Sequence, residues 1–326
     1  MPTSADIETQ AASLEALRTA APEVIEPALQ KALRHRNNYL VAKAAKLAAD
    51  LSLASLTDDL TAAFQRFLTN PVKTDPQCWA KIAIAKALAT LEYQEHELFL
   101  QGMHHLQPEP VWGGSSDTAG PLRSTCALAL VQCRTLNSTR VLAHLTPLFA
   151  DKELSVRVDA ARAVEQLGSD AAMLLLRLRA ELASDDAALL GACYSGVLHL
   201  EGPSAIPWAA KFLPPADDAA AEAAIAIAET RTPQAFTTLK AVYETPESSR
   251  QSPHQSPHRS QDPWFRAALL SAIALTRQDE AYAWLLTLIE RDTDDSKDAH
   301  EALCRSNPPA PILDQLVRLN KPCNPG

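Results

Sequence analysis

The stretch Asp151–Gly168, Asp-Lys-Glu-Leu-Ser-Val-Arg-Val-Asp-Ala-Ala-Arg-Ala-Val-Glu-Gln-Leu-Gly, decides the fold. Val156, Ala160, Ala161, Val164 and Leu167 share one face at helical spacing, and Gly168 is the residue type that closes a helix in a left-handed turn. The spacing predicts one complete amphipathic helix. Its small Ala160-Ala161 pair lets a neighbouring helix approach closely, while Arg157 and Asp151 are placed to bond groups of an adjoining turn.

Aligning the rest of the chain on the Leu167 position finds counterparts at Leu51, Leu91, Cys133, Leu200 and Leu275, with weaker ones near Thr230 and Arg305. Their separation of about 30–45 residues is that of helical repeat arrays. A second helical pattern precedes each counterpart, giving pairs at Pro22–His35 with Tyr39–Leu51, Leu56–Leu68 with Gln77–Leu91, Glu95–His105 with Pro121–Cys133, and Ser138–Ala150 with Leu154–Leu167. Four more follow: Asp170–Ala183 with Asp186–Leu200, Pro203–Leu213 with Asp217–Glu229, Pro233–Tyr243 with Pro263–Leu275, and Asp279–Arg291 with Asp295–Cys304. Residues 1–20 read as an N-terminal capping helix and 308–326 as a C-terminal cap and tail, since end repeats need polar outer faces. Pro22, Pro121, Pro203, Pro233 and Pro263 stand where helices begin, the place that tolerates a missing N–H.

The Asp151–Gly168 pattern resembles the second helix of a HEAT repeat, of the kind found in bacterial HEAT-repeat and bilin-lyase-like proteins. The resemblance implies an all-α fold, a right-handed superhelical solenoid of about eight helical hairpins spanning residues 1–326 as one domain. It also implies that second helices line the concave surface, and that a basic side chain at the Arg157 position bonds an acidic turn residue of an adjoining repeat. Lys81 and Arg123 hold that position in the second and third pairs, and Val41 holds it in the first.

Composition agrees with helices. Hydrophobic residues make up 47% of the 326 and aromatics 5%, and nine glycines are too few for an all-β chain. The net charge of −9 argues against a surface devoted to nucleic acid or anionic membrane. Met1–Gln10 carries no apolar run of the signal-peptide kind, and no uninterrupted apolar segment spans a bilayer. The six cysteines form no C-x-x-C pair and read as reduced core thiols, so a cytoplasmic protein is expected.

Two segments interrupt the period. Gln107–Gly120 reads as an ordered loop carrying Trp112, a possible loop site, and Thr245–Asp262, rich in Ser, Pro and His, reads as a disordered insertion.

Little in the chain carries chemistry. His96-Glu97 and His300-Glu301 are the type of pair that deoxyhypusine hydroxylase uses for iron, but two pairs five units apart cannot converge on one ion, and surface side chains are expected. Asp292, Asp294 and Ser296 have calcium-loop spacing, yet Lys297 and Leu303 replace the required glycine and glutamate. An acidic turn and N-cap is the expectation there. Without a nucleophile elbow, phosphate loop or H-E-x-x-H motif, no catalytic residues, metal or cofactor are expected.

One constellation remains. The Arg162 position lies off the apolar face and holds Lys46, Lys86, Leu128 and Arg162 in the first four pairs, then Ser195, Ile225 and Leu270. With Lys43 one turn before Lys46, these residues make a basic strip on the N-terminal half, where residues 1–180 carry 18 Lys+Arg against 19 Asp+Glu while 181–326 carry 12 against 20. A solvated helix face explains single lysines, and recurrence on one face is what an extended groove looks like. The expectation is a non-catalytic scaffold whose concave surface takes an extended or helical acidic segment of another protein. Two alternatives come from the same resemblance: a bilin lyase or isomerase holding a tetrapyrrole, and a HEAT-like nucleic-acid-binding or DNA-repair protein.

Overall fold

The computed structural model describes residues 4–182, 185–245, 263–291 and 295–323. The fold is all-α apart from one two-stranded sheet among these residues. The chain divides into two compact units, residues 1–167 and 168–326.

In the first unit the helices are α1 (Ser4–Ala16), α2 (Pro22–Leu33), α3 (Asn38–Asp50), α4 (Thr57–Phe67), the short α5 (Pro71–Thr74), α6 (Trp79–Thr90) and α7 (His96–Met103). A hairpin of β1 (Pro108–Val111) and β2 (Gly114–Asp117) follows, then α8 (Gly120–Leu130), α9 (Ser138–Leu145) and α10 (Leu154–Gln166). Helices α3, α6, α8 and α10 are successive packing neighbours, and α2, α4, α7 and α9 lie against α3, α6, α8 and α10 respectively. The reason is visible in the side chains. Ala44 and Ala45 of α3, Ala85 of α6, Ala127 of α8 and Ala160 and Ala161 of α10 are fully buried at equivalent places, so backbones meet closely where the small residues recur.

The second unit holds α11 (Asp170–Leu182), α12 (Ala187–Glu201), α13 (Ile206–Ala209), α14 (Asp218–Glu229), α15 (Pro233–Glu244), α16 (Pro263–Leu275), α17 (Asp279–Glu290), α18 (Ser296–Arg305) and α19 (Ala310–Arg318). Here α12, α14, α16 and α18 are successive neighbours, with α11 against α12, α15 against α16 and α17 against α18. Most predicted helices form within a few residues of their expected bounds, but Pro203–Leu213 keeps a single α turn, Ile206–Ala209, and Ser138–Ala150 is α-helical only to Leu145. The expected insertion Thr245–Asp262 lies, apart from Thr245, outside the described residues, as does Asp292–Asp294.

Proline explains where first helices are broken. Pro147 falls in a 3-10 segment after α9, and Pro207 opens the single turn of α13 between two 3-10 segments, because a missing N–H removes an i→i−4 bond. Pro27, by contrast, lies inside the continuous helix α2.

Many helices end the same way. The second residue past the helix is left-handed at Ser52, Glu92, Gly168, Arg231, Arg277, Asn307 and Asn320, with φ between 51° and 62°. After α3, α6 and α19 the next amide closes a six-residue ring back into the helix, Leu53 N–H to Ala48 O, Tyr93 N–H to Leu88 O and Lys321 N–H to Leu316 O, each at 2.9 Å. Leu167, expected on the apolar face, is only half-buried because the chain turns out at Gly168, and Val164 is the last fully buried residue of α10.

One close approach needs glycine. A Cβ on Gly102 of α7 would overlap the sulfur of Cys126 on α8, which is itself fully buried. Gly102→Ala is therefore expected to destabilise the fold by about 1–3 kcal/mol of overpacking less about 1 kcal/mol of regained helix propensity, read as a lower urea midpoint. Gly102→Ala with Cys126→Ala removes the overlap and should recover the loss relative to Cys126→Ala alone.

Candidate functional site

Two surfaces of the first unit carry the expected site residues. The burial pattern of α3 repeats in α6 forty positions later: Leu40, Val41, Ala44, Ala45, Leu47 and Ala48 are buried, as are Ala80, Lys81, Ile84, Ala85, Ala87 and Leu88. This register puts Lys46 and Lys86 at equivalent exposed places, continues through the half-buried Leu128 on α8, and reaches the exposed Arg162 on α10. Lys43 is exposed one turn before Lys46, its Nζ 5.6 Å from the centroid of the Tyr39 ring.

Aromatic rings accompany the cations. Trp79, 50% exposed, occupies on α6 the position that Tyr39 holds on α3. The strip is not purely basic. Arg162 pairs with Asp159 at 3.0 Å, an exposed contact of small energy, and Glu15 of α1 lies within the electrostatic reach of Lys43 and Lys46.

In the second unit the register continues through Ser195 and Ile225 but not Leu270. Leu270 is fully buried and Ser271 takes the equivalent half-buried place, one residue later than the sequence reading. With that correction Arg266 occupies the Lys81 position, and its Nη2 donates to Asp295 Oδ2 at 2.7 Å. Tyr243 Oη donates to the same oxygen at 2.6 Å. Asp295 therefore serves these two side chains and makes no side-chain cap of α18, where an N-cap was expected.

The second surface is the hairpin. Gln107–Gly120 forms paired strands rather than an irregular loop, in antiparallel register from Pro108 with Asp117 to Val111 with Gly114, and Gly113 takes φ 88° in the turn. Trp112 stands at the tip with its side chain fully exposed.

Beneath the hairpin lies a polar cluster that sequence reasoning missed. Gln107 is fully buried, and its Nε2 donates to Asp75 O at 2.9 Å and to Glu109 Oε1 at 2.7 Å. Its Oε1 accepts from Cys78 Sγ at 3.2 Å and faces His105 Nε2 at 3.0 Å. Glu109 Oε1 also accepts from the Gln77 amide at 2.6 Å and Thr118 Oγ1 at 2.8 Å. These contacts hold two consecutive left-handed residues, Gln77 (φ 58°) and Cys78 (φ 57°), a strained arrangement for side chains with a Cβ.

The same strained turn delivers Asp75 to the start of α6. Its Oδ1 accepts from the Ala80 amide at 2.8 Å and its Oδ2 from the Lys81 amide at 3.1 Å. Lys81 Nζ lies 3.0 Å from Asp75 Oδ2 with both side chains fully buried. Arg123 closes the other side. Its Nε and Nη2 donate to the two oxygens of Asp151 at 2.7 and 2.9 Å, and its Nη1 donates to Asp117 Oδ2 at 2.6 Å. The expected bond to an acidic turn residue of an adjoining pair is made by Arg123 with Asp151, whereas Lys81 bonds Asp75 in the turn of its own pair and Arg157 donates to the Asp151 and Lys152 carbonyls.

Chemically this cluster is a set of satisfied donors and acceptors. Burial pushes the Cys78 thiol up to about 11, so it is protonated near neutral pH and acts as a donor. Burial lowers the His105 pKa, which keeps the imidazole neutral.

The cysteine reading divides. Cys78, Cys126, Cys133 and Cys193 are free and buried, as expected for core thiols. Cys304 and Cys323 form a disulfide instead, because the chain after α19 returns against α18. Both histidines are half-buried rather than the surface side chains expected: His96 Nδ1 lies 2.9 Å from Thr135 Oγ1, and His300 lies beside Cys304.

No family model matches the chain, and no curated protein matches it. Among the described residues no helix is long and apolar enough to cross a membrane.

Proposed function

We propose that the first unit is a HEAT-type, right-handed solenoid module that binds an acidic extended or helical segment of another protein on the exposed face of α3, α6, α8 and α10. The observation that carries this reading is the shared register of Lys46 on α3, Lys86 on α6 and Arg162 on α10, all exposed, with Leu128 of α8 at the same position between the last two and Lys43, Tyr39 and Trp79 on the lysine-bearing helices. A row of exposed cations suits a carboxylate-rich segment, and half-exposed aromatic rings supply anchor area that single surface lysines lack. The side chains packed beneath these helices are largely apolar, with Lys81 and Arg123 as buried charges among them, so the shape of the face is set by the packing of helices.

Each exposed contact contributes at most about 1 kcal/mol, so single substitutions should change little. Lys46→Glu, Lys86→Glu and Arg162→Glu together are expected to weaken binding by roughly tenfold or more, mostly through slower association, and wild-type binding should fall steeply with salt. Affinity capture with immobilised wild type and the triple variant tests this, read as chains retained by the first and lost from the second. Equal capture by both would move the site elsewhere, and a bound chromophore or salt-dependent duplex binding would replace this reading with one of the other two.

A further inference from the structure

The far end of the second unit holds a cluster unrelated to the exposed strip. His300 and Cys304 are four residues apart on α18 and so share one face, and Cys323 comes from the chain that returns after α19. One ligand atom from each, an imidazole nitrogen and two sulfurs, lies within 4.8 Å of the others. We propose that, when the Cys304–Cys323 disulfide is reduced, these three side chains form a zinc site of two thiolates and one imidazole.

The distances suit it. Tetrahedral zinc with Zn–S of about 2.3 Å and Zn–N of about 2.0–2.1 Å sets sulfur and nitrogen about 3.6 Å apart and the two sulfurs about 3.8 Å apart. His300 Nε2 already lies 3.5 Å from Cys304 Sγ. The two cysteine Cα atoms are 5.5 Å apart, so rotation about the Cα–Cβ bonds lets the freed sulfurs separate without moving the backbone. His300 Nε2 faces the carbonyl of Lys321 at 2.8 Å, and coordination exchanges that contact for the metal while the ring proton resides on Nδ1.

The returning segment is held independently of the disulfide. Lys321 Nζ donates to Ile289 O at 3.2 Å and to Ser296 Oγ at 3.1 Å, and its amide donates to the carbonyl of the fully buried Leu316. Reduction therefore leaves Cys323 facing α18. The three ligands are half-buried, which leaves a fourth coordination position for water or for a group from a partner.

The two states exclude each other because they use the same sulfurs. A dithiol reductant gives two electrons and two protons to the disulfide, producing two thiols and its own cyclic disulfide. Zinc then displaces the two thiol protons as the Zn–S bonds form. Oxidation by a small-molecule disulfide reverses the sequence, releasing zinc and two thiols of the reductant pool.

Cobalt(II) titration of the full chain tests this, after reduction with a phosphine and under nitrogen, because thiolate ligation gives charge-transfer and tetrahedral d–d bands. One equivalent of cobalt should produce both, and zinc should bleach them. Protein kept oxidised should give neither, C304S and C323S should each lose them, and His300→Ala should weaken binding and shift the d–d bands. Circular dichroism of each variant fixes whether the helices persist, and Cys323, beyond the last helix, is the substitution least able to disturb them. Reduced wild type without bands, or folded C323S with bands of wild-type strength, would overturn the proposal.

Discussion

Lys81→Met is expected to destabilise the first unit by about 3–5 kcal/mol, the range for removing one partner of a buried ion pair. The side chain is fully buried, and its Nζ serves Asp75 Oδ2 at 3.0 Å and Phe67 O at 3.3 Å. Methionine fills a similar volume, so the loss is electrostatic rather than a cavity. Asp75 would keep the Ala80 and Lys81 amides and Asn38 Nδ2 (3.1 Å), which places the cost toward the lower end. Lys81→Met with Asp75→Asn should cost less than the sum of the two single changes, because no bare charge remains. A urea midpoint for Lys81→Met equal to that of wild type would show that the pair contributes nothing net.

The second large effect is expected at Arg123, whose side chain is 3% exposed and joins Asp151, Asp117 and His105 O. Arg123→Met strands two carboxylates, for a loss of about 3–5 kcal/mol, and Arg123→Lys should rescue little because an ammonium cannot span the bidentate contact and the hairpin together. Acid makes the same point. Burial alone would raise the Asp117 pKa, but the Gln107 and Ala119 amides and Arg123 more than offset it and hold it below the ordinary carboxylate value. Glu109 is lowered likewise, by Gln107, Gln77 and Thr118 acting against its desolvation. A folded pKa below the unfolded one, about 3.9 for Asp and 4.3 for Glu, means that this stability is present above those values and is lost as pH falls through the folded ones. Urea midpoints of wild type should therefore drop below about pH 4, and Arg123→Met should show a shallower drop, since Asp117 would then have lost its cation. Parallel acid curves for the two proteins would remove Asp117 from the account.

The helices were legible because their apolar residues keep one period and their starts are marked by proline, asparagine or aspartate. Lys46 and Lys86 could be placed on one face from spacing alone, since α3 and α6 alternate small apolar and exposed residues at the same interval. The register slipped in α16, where Phe265, Leu269, Leu270, Ala272, Ile273 and Ala274 are all buried and so little polar residue remains to mark the outer face. The hairpin was hidden by Pro108 and Pro110, residues that argue against a strand, and by its dependence on Glu109 meeting Gln77, 32 positions away. Asp75 carries no mark in the sequence for the same reason, because only the fold brings it under Lys81. Nor does spacing announce that Cys323 returns to Cys304.

Helix endings limited the reading too, since of the seven left-handed turns named above only Gly168 carries glycine. A side chain in that conformation costs about 1–2 kcal/mol, and glycine would return part of it after its own loss of chain entropy of about 0.4–1 kcal/mol. Ser52, Glu92, Arg231, Arg277, Asn307 and Asn320 are all exposed and lie in different turns, so such gains would add. In evolutionary terms the chain holds an unspent reserve: a lineage that accepts substitutions costly to folding elsewhere has compensating changes open to it at these exposed turns, outside the core.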